Sequence, residues 1–222
     1  MDGVRGQHGP AGGLRLGGPG RPKGDVGPSR VVLLDLDGTI TRPVLDFERM
    51  RAEMGLPPGQ PILEQLERLT PTRRACAEAV LERHERAAAE TAELNDGCRE
   101  LLSMLAGAGF ACGLVTRNSR RSVEAVLSRH NLAFGAVVTR DDPPFKPHPH
   151  SVALALRRLG VPAGAAAEVW MVGDGVHDVE VGRAAGVRTV WVSHGAERRF
   201  AAEPDHEAAD LFAVARIVLG RG

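Results

Sequence analysis

Residues 31–39 read VVLLDLDGT, and they set the architecture of the whole chain. The run begins with β-branched and other apolar side chains and ends at an Asp-Gly pair, a pattern typical of a buried strand that stops at a turn. Similar apolar runs follow at residues 110–116, 134–139, 168–174 and 187–193. The sequence therefore predicts a sheet built from these five strands.

Amphipathic patterns separate the predicted strands. They predict helices at residues 119–130, 149–159, 178–185 and 207–219. Because apolar strands that alternate with amphipathic helices form parallel sheets covered on both faces, the expected fold class is α/β, a doubly wound Rossmann-like parallel sheet. Ligands of such sheets bind at the carboxyl ends of the strands.

The first crossover is longer than one helix requires, since residues 42–109 separate the first two strands. Thr70-Pro71 is a start signal for a long helix, because it combines a capping hydroxyl with a proline at the first helical position. The segment contains helical patterns at residues 46–54, 62–69, 71–93 and 98–106. This composition predicts a small helical subdomain within the crossover.

The patterns divide the chain into three parts. Residues 1–29 are rich in glycine and proline and lack an apolar period, which predicts a disordered tail. Residues 42–94 are interpreted as a small α-helical cap inserted after the first strand, and residues 30–41 with 95–222 as the α/β core. Arginines in the tail leave organellar import open, although its acidic residues count against a transit peptide.

Composition limits the classes of partner. The 222 residues are 43% apolar with a formal net charge of zero, so bulk charge points neither to nucleic acid nor to an anionic membrane surface. No apolar run approaches the ~20 residues of a membrane span. Three cysteines without a C-x-x-C pair are typical of a reduced, intracellular protein, here expected in the cytoplasm as a monomer or weak homodimer.

Carboxylates stand at the ends of two predicted strands. Asp35 and Asp37 end the first strand, and Asp174 ends the strand at residues 168–174. If these strands are neighbours, the three side chains converge and repel one another in a partly buried site. A hard divalent cation resolves that repulsion, and oxygen-only ligands favour Mg²⁺.

Other polar residues follow the same strand ends. Thr116 supplies a hydroxyl, and the backbone amides that follow it, at Arg117 and Asn118, can bind phosphate oxygens. Lys146 adds a point charge, and it is one of only two lysines in a chain that otherwise uses arginine. A metal, a lysine and several donors facing a carboxylate form a phosphoryl-transfer site.

In order along the chain, these features resemble the four motifs of the haloacid dehalogenase superfamily. The motifs are DLDGT at residues 35–39, Thr116 at the end of the second strand, Lys146 before a helix, and GDGVHD at residues 173–178. The helical insertion is similar to the small cap of the phosphoglycolate-phosphatase-like branch. The resemblance spans residues 31–193 and implies an Mg²⁺-dependent phosphatase acting on a small phosphorylated metabolite.

The resemblance also implies a role for each site residue. Asp35 is the expected nucleophile, and Asp37 the expected general acid and base. Asp35, the Asp37 carbonyl and Asp174 are expected to hold Mg²⁺. Thr116 with the Arg117 and Asn118 amides is expected to bind the phosphoryl group, which Lys146 neutralises, while Asp178 orients Lys146 or a metal-bound water. Asp178 is also a candidate N-cap for the helix that follows.

Several alternatives remain open from the sequence. A dehalogenase needs no acid two residues after its nucleophile, so Asp37 favours a phosphate ester over a halide. A phosphomutase, a non-catalytic phosphate-binding protein and a phospho-accepting receiver are further possibilities, although a receiver carries its acceptor on the third strand. The arginines of the cap, Arg49, Arg51, Arg73 and Arg74, are candidates for an anion-binding residue. Phosphoglycolate, a sugar phosphate and a nucleotide monophosphate all fit as substrates.

Overall fold

A computed structural model describes residues 14–16, 28–162 and 168–220. The strands in this part of the chain are β1 (Leu14–Leu16), β2 (Arg30–Leu34), β3 (Ala111–Val115), β4 (Leu132–Phe134), β5 (Ala136–Val138), β6 (Glu168–Gly173), β7 (Arg188–Val192) and β8 (His206–Ala208). The helices are α1 (Phe47–Met54), α2 (Ile62–Leu66), α3 (Pro71–Thr91), α4 (Cys98–Gly107), α5 (Arg120–His130), α6 (His150–Leu159), α7 (Val176–Ala184) and α8 (Leu211–Val218).

Six of these strands form one parallel sheet in the order β5-β3-β2-β6-β7-β8. Strand β2 lies between β3 and β6, so the strand order reverses on its two sides. In the register of the sheet, Val32 is paired with Cys112 on β3 and with Trp170 on β6. The predicted fold class, a doubly wound parallel α/β sheet, is confirmed.

Strand β2 has apolar side chains on both faces of the sheet, and helices cover both faces. Its side chains alternate between two apolar clusters, because successive residues of a strand point to opposite faces. Val32 and Leu34 pack with the helices on one face, and Val31 and Leu33 pack with those on the other. All four side chains are fully buried, which is why the strand reads as a continuous apolar run.

The insertion between β2 and β3 has an apolar cluster of its own. Helix α1 begins after Asp46, whose Oδ1 accepts a hydrogen bond from the Arg49 amide (3.0 Å). Helix α3 starts at Pro71 as predicted, although the Thr70 hydroxyl makes no capping hydrogen bond. The cluster joins α1, α2 and α3 through Met50, Met54, Leu56, Ile62, Leu66, Ala77 and Leu81. The far end of α3 packs instead on the main core, through Ala89.

The predicted helix at residues 207–219 is wrong at its start. His206–Ala208 forms β8 at the edge of the sheet beside β7, and α8 begins only at Leu211. Asp210 ends the extended segment, since its Oδ1 accepts a hydrogen bond from the Ala213 amide (2.7 Å) and caps the helix. Pairing with β7 therefore overrides the helical pattern of the residues before the cap.

The structure describes two short parts of the segment predicted as a tail. Leu14–Leu16 forms a short strand parallel to β4, and its Leu-Arg-Leu alternation is the pattern of a strand. The Ser29 carbonyl accepts a hydrogen bond from the Glu168 amide (2.7 Å), so order begins before residue 30. The other residues of the predicted tail, 1–13 and 17–27, lie outside the described residues. Among the helices of the described chain, none combines the length and apolarity needed to cross a bilayer.

Candidate active site

All the predicted site residues line one cavity at the carboxyl edge of the sheet. The cavity has a volume of about 340 Å³. Strand β2 leads into Asp35, β3 into Thr116 and β6 into Asp174, and because these three strands are neighbours their ends meet. The structure brings together Asp35, Asp37, Thr116, Arg117, Asn118, Lys146, Asp174 and Asp178.

Lys146 lies at the centre of the cavity and is almost completely buried. Its Nζ is 2.5 Å from Oδ1 of Asp35 and 2.5 Å from Oδ1 of Asp178. Burial alone would lower the pKa of Lys146, but the charges of Asp178 and Asp35 outweigh it and raise the pKa. The lysine is therefore a fixed ammonium between two carboxylates, rather than a solvated surface side chain.

Asp178 serves the helix and the lysine together. It is the third residue of α7, so it is not the N-cap. Its Oδ2 accepts a hydrogen bond from the Gly175 amide (3.0 Å) at the start of that helix, while Oδ1 accepts from Lys146. Both carboxylate oxygens are thus occupied by donors of this chain, which fixes the position of the lysine.

Two carboxyl groups of the site, those of Asp35 and Asp174, have raised pKa values. Burial raises the pKa of Asp35 to about 6, although Lys146 opposes the shift. Burial, followed by the charges of Asp35 and Asp178, raises the pKa of Asp174 to about 8. Thr39 donates to Oδ1 of Asp174 (2.9 Å) and holds this carboxylate beside the end of β2.

These carboxylates fit a hard divalent cation. One oxygen each from Asp35, Asp174 and Asp178 lies within 4.8 Å of the other two. Since Lys146 and Gly175 occupy both oxygens of Asp178, Asp35 and Asp174 are the better ligands of the three. An oxygen-only donor set with raised carboxyl pKa values is the environment in which Mg²⁺ binds.

Two glycines give these carboxylates room. Gly38 has a φ of 79°, and a Cβ atom there would collide with the Asp174 carboxylate. A Cβ atom on Gly173 would collide with the carboxylate of Asp178. The glycine of the DLDGT motif is therefore required both by the backbone and by the close approach of Asp174.

Asp37 is held by hydrogen bonds from two neighbouring side chains. Asn118 Nδ2 donates to Oδ2 (2.7 Å), and Thr41 Oγ1 donates to Oδ1 (3.3 Å). Burial raises the pKa of Asp37, and the hydrogen bond from Asn118 opposes the shift. The sequence assigned a role only to the backbone amide of Asn118, because the pairing of its side chain with a residue 81 positions away leaves no local pattern.

Arg117 connects the core to the inserted helices. Its Nη1 and Nη2 donate to the two carboxylate oxygens of Glu64 on α2 (2.8 and 2.7 Å). Nη1 also donates to the Lys146 carbonyl (2.7 Å), and the guanidinium lies 5.3 Å from the centre of the Phe145 ring. The sequence did not single out Glu64, since ILEQLERL is an ordinary amphipathic pattern.

The wall opposite the carboxylates is formed by the inserted segment and is mainly apolar. Arg51 is the cap arginine that lines the cavity, and it is paired with Glu48 (2.5 Å). Arg49 and Arg74 form ion pairs on solvated helix faces, with Glu53 and Glu78. The apolar side chains that the inserted segment contributes are Pro43, Val44, Leu45, Phe47, Pro61, Ile62, Leu63 and Leu81.

A parallel α/β sheet with carboxylates and a buried lysine at its carboxyl edge is the arrangement expected from the four sequence motifs. Residues 43–192 match the family model described as haloacid dehalogenase-like hydrolase. The match covers more than half of the chain, so the protein belongs to the haloacid dehalogenase-like hydrolase family. The predicted family and the prediction of an enzyme of this hydrolase type are confirmed.

Relatives of known name agree with this family. The chain is 30% identical to N-acetylmuramic acid 6-phosphate phosphatase of Pseudomonas aeruginosa, over 75% of this chain and 82% of that protein. It is 41% identical to pyrophosphatase PpaX of Bacillus velezensis, where the match spans about half of each protein, 48% and 51%. A hydrolase of Pseudomonas syringae has the same fold, with a TM-score of 0.67 at 20% identity over 86% of this chain and 99% of that one.

Proposed function

We propose that this chain is a phosphatase that hydrolyses a small phosphorylated metabolite through an aspartyl-phosphate intermediate and depends on Mg²⁺. The observation that carries the proposal is the convergence of Asp35, Asp37, Lys146 and Asp174 in one cavity. Carboxylates around a buried lysine suit phosphoryl transfer, in which positioning and charge stabilisation dominate. The relative named as a phosphatase supports the same class of reaction.

Asp35 is the proposed nucleophile. Because Lys146 donates to Oδ1 of Asp35, we assign the attack on phosphorus to Oδ2. The attack forms a bond between Oδ2 and phosphorus and breaks the bond between phosphorus and the leaving oxygen. Asp37 gives its proton to that oxygen, so the alcohol departs neutral. The raised pKa of Asp37 favours the protonated form that this step needs.

The second half of the reaction uses the same two carboxyl groups. Asp37, now ionised, takes a proton from a water molecule whose oxygen attacks phosphorus. The bond between phosphorus and Asp35 breaks, inorganic phosphate leaves, and the Asp35 carboxylate is regenerated. Asn118 and Thr41 keep the Asp37 carboxyl in one orientation during both proton transfers.

The remaining polar residues bind the phosphoryl group. Lys146 neutralises its charge, and Asp178 orients the lysine. Thr116 and the amides of Arg117 and Asn118 are the proposed donors to the phosphoryl oxygens. The Asn118 amide donates to Thr116 Oγ1 over a long 3.3 Å, a contact that a phosphoryl oxygen can replace.

Asp35, Asp174 and the Asp37 carbonyl are the groups that we propose for holding Mg²⁺. When bound, the ion neutralises the facing carboxylates and the phosphoryl oxygens. The pKa values of about 6 for Asp35 and about 8 for Asp174 support a site that lacks one positive charge.

The helical insertion is the proposed cap. We treat residues 42–94 as a unit that covers the cavity and excludes water from it. Its separate apolar cluster and its apolar wall over the carboxylates support this division. A covered cavity of about 340 Å³ favours a small molecule over a phosphoprotein.

The cysteines support a reducing, intracellular setting for this enzyme. All three are free thiols, and burial raises the pKa of Cys98 and of Cys112 to about 12. The two buried residues are therefore inert core side chains, and none of the three belongs to the proposed reaction.

The proposal is tested by the release of inorganic phosphate from an aryl phosphate, with Mg²⁺ and with a chelator. We expect turnover that requires the metal, and mass spectrometry after an acid quench should find a phosphoryl group on Asp35. Asp35→Asn should lose on the order of 10⁴-fold in kcat, because an amide cannot form the acyl phosphate. Asp37→Asn should slow both half-reactions.

Melting curves of the variants keep the test independent of folding. Near-normal turnover by a folded Asp35→Asn protein would overturn the assignment of the nucleophile. Equal turnover with the chelator would overturn the role of Mg²⁺. A mutase would transfer the phosphoryl group between sugar hydroxyls without releasing phosphate, so phosphate release separates the two activities.

A further inference from the structure

The cavity has few positive charges to offer a second anionic group. Five carboxylates line it, from Asp35, Asp37, Glu85, Asp174 and Asp178, against three permanently charged basic side chains and His177, whose pKa is lowered by burial. A divalent cation and the phosphoryl dianion would add opposite charges of equal size. A substrate with a further negative charge therefore needs a basic side chain that is free to meet it.

Each of the three permanently charged side chains is already paired within the described chain, and His177 Nδ1 lies 3.3 Å from Glu180. Lys146 lies between two carboxylates of the core. Arg51 contacts both carboxylate oxygens of Glu48 (2.5 and 3.3 Å) and donates to the Gln60 carbonyl (3.0 Å). Arg117 is held by Glu64 through two parallel hydrogen bonds. Ion pairs in which a guanidinium contacts both oxygens of a carboxylate are strong and geometrically specific.

The cap offers apolar surface to the rest of the substrate. Phe47 is 50% exposed and Val44 is 47% exposed, and both line the cavity. Large apolar side chains left accessible in a cleft indicate a surface that a ligand covers. A leaving group that buries them gains the hydrophobic contribution, whereas a charged group placed there loses hydration without a partner.

We propose that the cavity selects phosphate monoesters whose leaving group is uncharged and largely apolar, and that Glu64 sets this selectivity by occupying Arg117. This inference rests on the proposed phosphatase function. It separates this chain from a pyrophosphatase, whose leaving group is itself a phosphate, and from an enzyme for carboxylated leaving groups such as glycolate. Glu64 acts through Arg117, and Phe47 contacts the leaving group directly.

The test compares two esters of equal size, 4-carbamoylphenyl phosphate and 4-carboxyphenyl phosphate. The first leaving group is neutral and the second carries a carboxylate, while both are substituted at the same ring position. We expect kcat/KM of the full-length protein with Mg²⁺ to favour the neutral ester by about tenfold or more, the size of one modest interaction. Equal kcat/KM values would overturn the selectivity while leaving the phosphatase assignment in place.

Glu64→Gln releases Arg117 and should lower that preference by about tenfold, chiefly by faster turnover of the carboxylated ester. Glu67→Gln is the matched control, because Glu67 is an exposed carboxylate at the end of the same helix and is not among the residues that line the cavity. An unchanged preference in a folded Glu64→Gln protein would overturn the role of Glu64.

A second variant tests the apolar wall without relying on Arg117. Phe47→Ala should lower kcat/KM for phenyl phosphate by about tenfold more than for methyl phosphate, since methyl is too small to reach the ring. Phe212→Ala removes a similarly exposed ring (44%) from α8, away from the cavity, and should change neither value. Equal losses for both esters would overturn the proposed wall. Absence of turnover for every ester would overturn the phosphatase function itself, and this inference with it.

Discussion

The two sides of the cavity are built from opposite kinds of side chain. The core side consists of buried carboxylates around Lys146, held by hydrogen bonds from strand ends and helix starts. The cap side consists of partly exposed apolar residues, together with Arg51, which is paired with Glu48 on its own helix. The core side is therefore suited to the chemical step, which is common to all phosphate esters. The cap side is suited to choosing among them.

Substitution of Lys146 is expected to have the largest effect and tests whether the core side carries the chemical step. Lys146→Arg keeps the charge but replaces a compact ammonium by a wide planar fork, which cannot lie 2.5 Å from both Asp35 and Asp178. We expect a folded protein whose kcat falls roughly 10²–10³-fold, the usual effect of losing one charge-stabilising donor. Lys146→Ala should lose at least as much.

Steady-state kinetics on a charged and a neutral ester show which side Lys146 serves. If the core side is blind to the leaving group, both esters lose the same factor. Wild-type kcat in Lys146→Arg would place the lysine outside the reaction. A change of preference between the esters would show that the core side also contributes to substrate selectivity.

A weaker change is Gly38→Ala. The new methyl group would displace the Asp174 carboxylate, so we expect the Mg²⁺ concentration for half-maximal activity to rise about 10–100-fold, as when the surroundings of a metal ligand are altered. Gly59→Ala is the matched control, because Gly59 also has a positive φ (71°) but no neighbouring atom within 4 Å. An equal effect in both variants would attribute the result to backbone strain alone.

Removal of the metal should make stability depend on pH. The pKa values of Asp35 and Asp174 in the folded protein, about 6 and about 8, lie above the ~4 of an unfolded carboxyl. Their contribution to stability is therefore complete below pH ~4 and is lost as the pH rises through 6 and 8. A loss of ~1 kcal/mol would lower Tm by about 2–4 °C in a chain of this size.

Melting curves from pH 5 to pH 8.5, in chelator and in Mg²⁺, measure this effect. We expect Tm to fall with rising pH in the chelator, and Mg²⁺ to raise Tm more at the alkaline end. Asp174→Asn should flatten the profile, since the amide does not titrate. A profile in chelator that Asp174→Asn leaves unchanged would contradict the raised pKa of Asp174.

The smallest effect concerns the amino-terminal segment. Deletion of residues 1–27 removes the three-residue strand β1 but keeps Ser29, whose carbonyl holds the start of β6. Because the described part of this segment is a single three-residue strand, we expect Tm to change by less than about 2 °C and turnover to stay the same. A large drop in Tm would show that the segment stabilises the core.

The core side could be predicted from the sequence because its residues sit at fixed offsets from strand ends. The run VVLLDLDGT predicts a buried strand followed by two carboxylates. The two strands beside it bring Thr116 and Asp174 to the same edge of the sheet. Lys146 was recognisable because lysine is rare in this chain. Short motifs therefore sufficed where local sequence and sheet order together determine position.

The contacts of the cap side could not be predicted, because they join residues that are far apart in the sequence and no local sequence pattern indicates them. Glu64 and Arg117 are 53 positions apart, and either would serve equally well as a solvated charge. Phe47 reads in the sequence as an ordinary residue of an amphipathic helix, and only the folded chain shows that it lines the cavity. Strand β8 was missed for a related reason, since only its pairing with β7 makes His206–Ala208 extended.

Arg117 joins the two sides of the cavity by hydrogen bonds to both. Its guanidinium bonds Glu64 on the cap and, through Nη1, the carbonyl of Lys146 in the core. A cap that swings away must separate both hydrogen bonds to Glu64 at once, and this pair is partly accessible to solvent. Ions in solution therefore compete with this ion pair to the extent that it is exposed, and in the proposed function this pair holds the cap closed. Rising ionic strength should shorten the closed lifetime, so product escape speeds up with salt while the bond-making steps beneath do not.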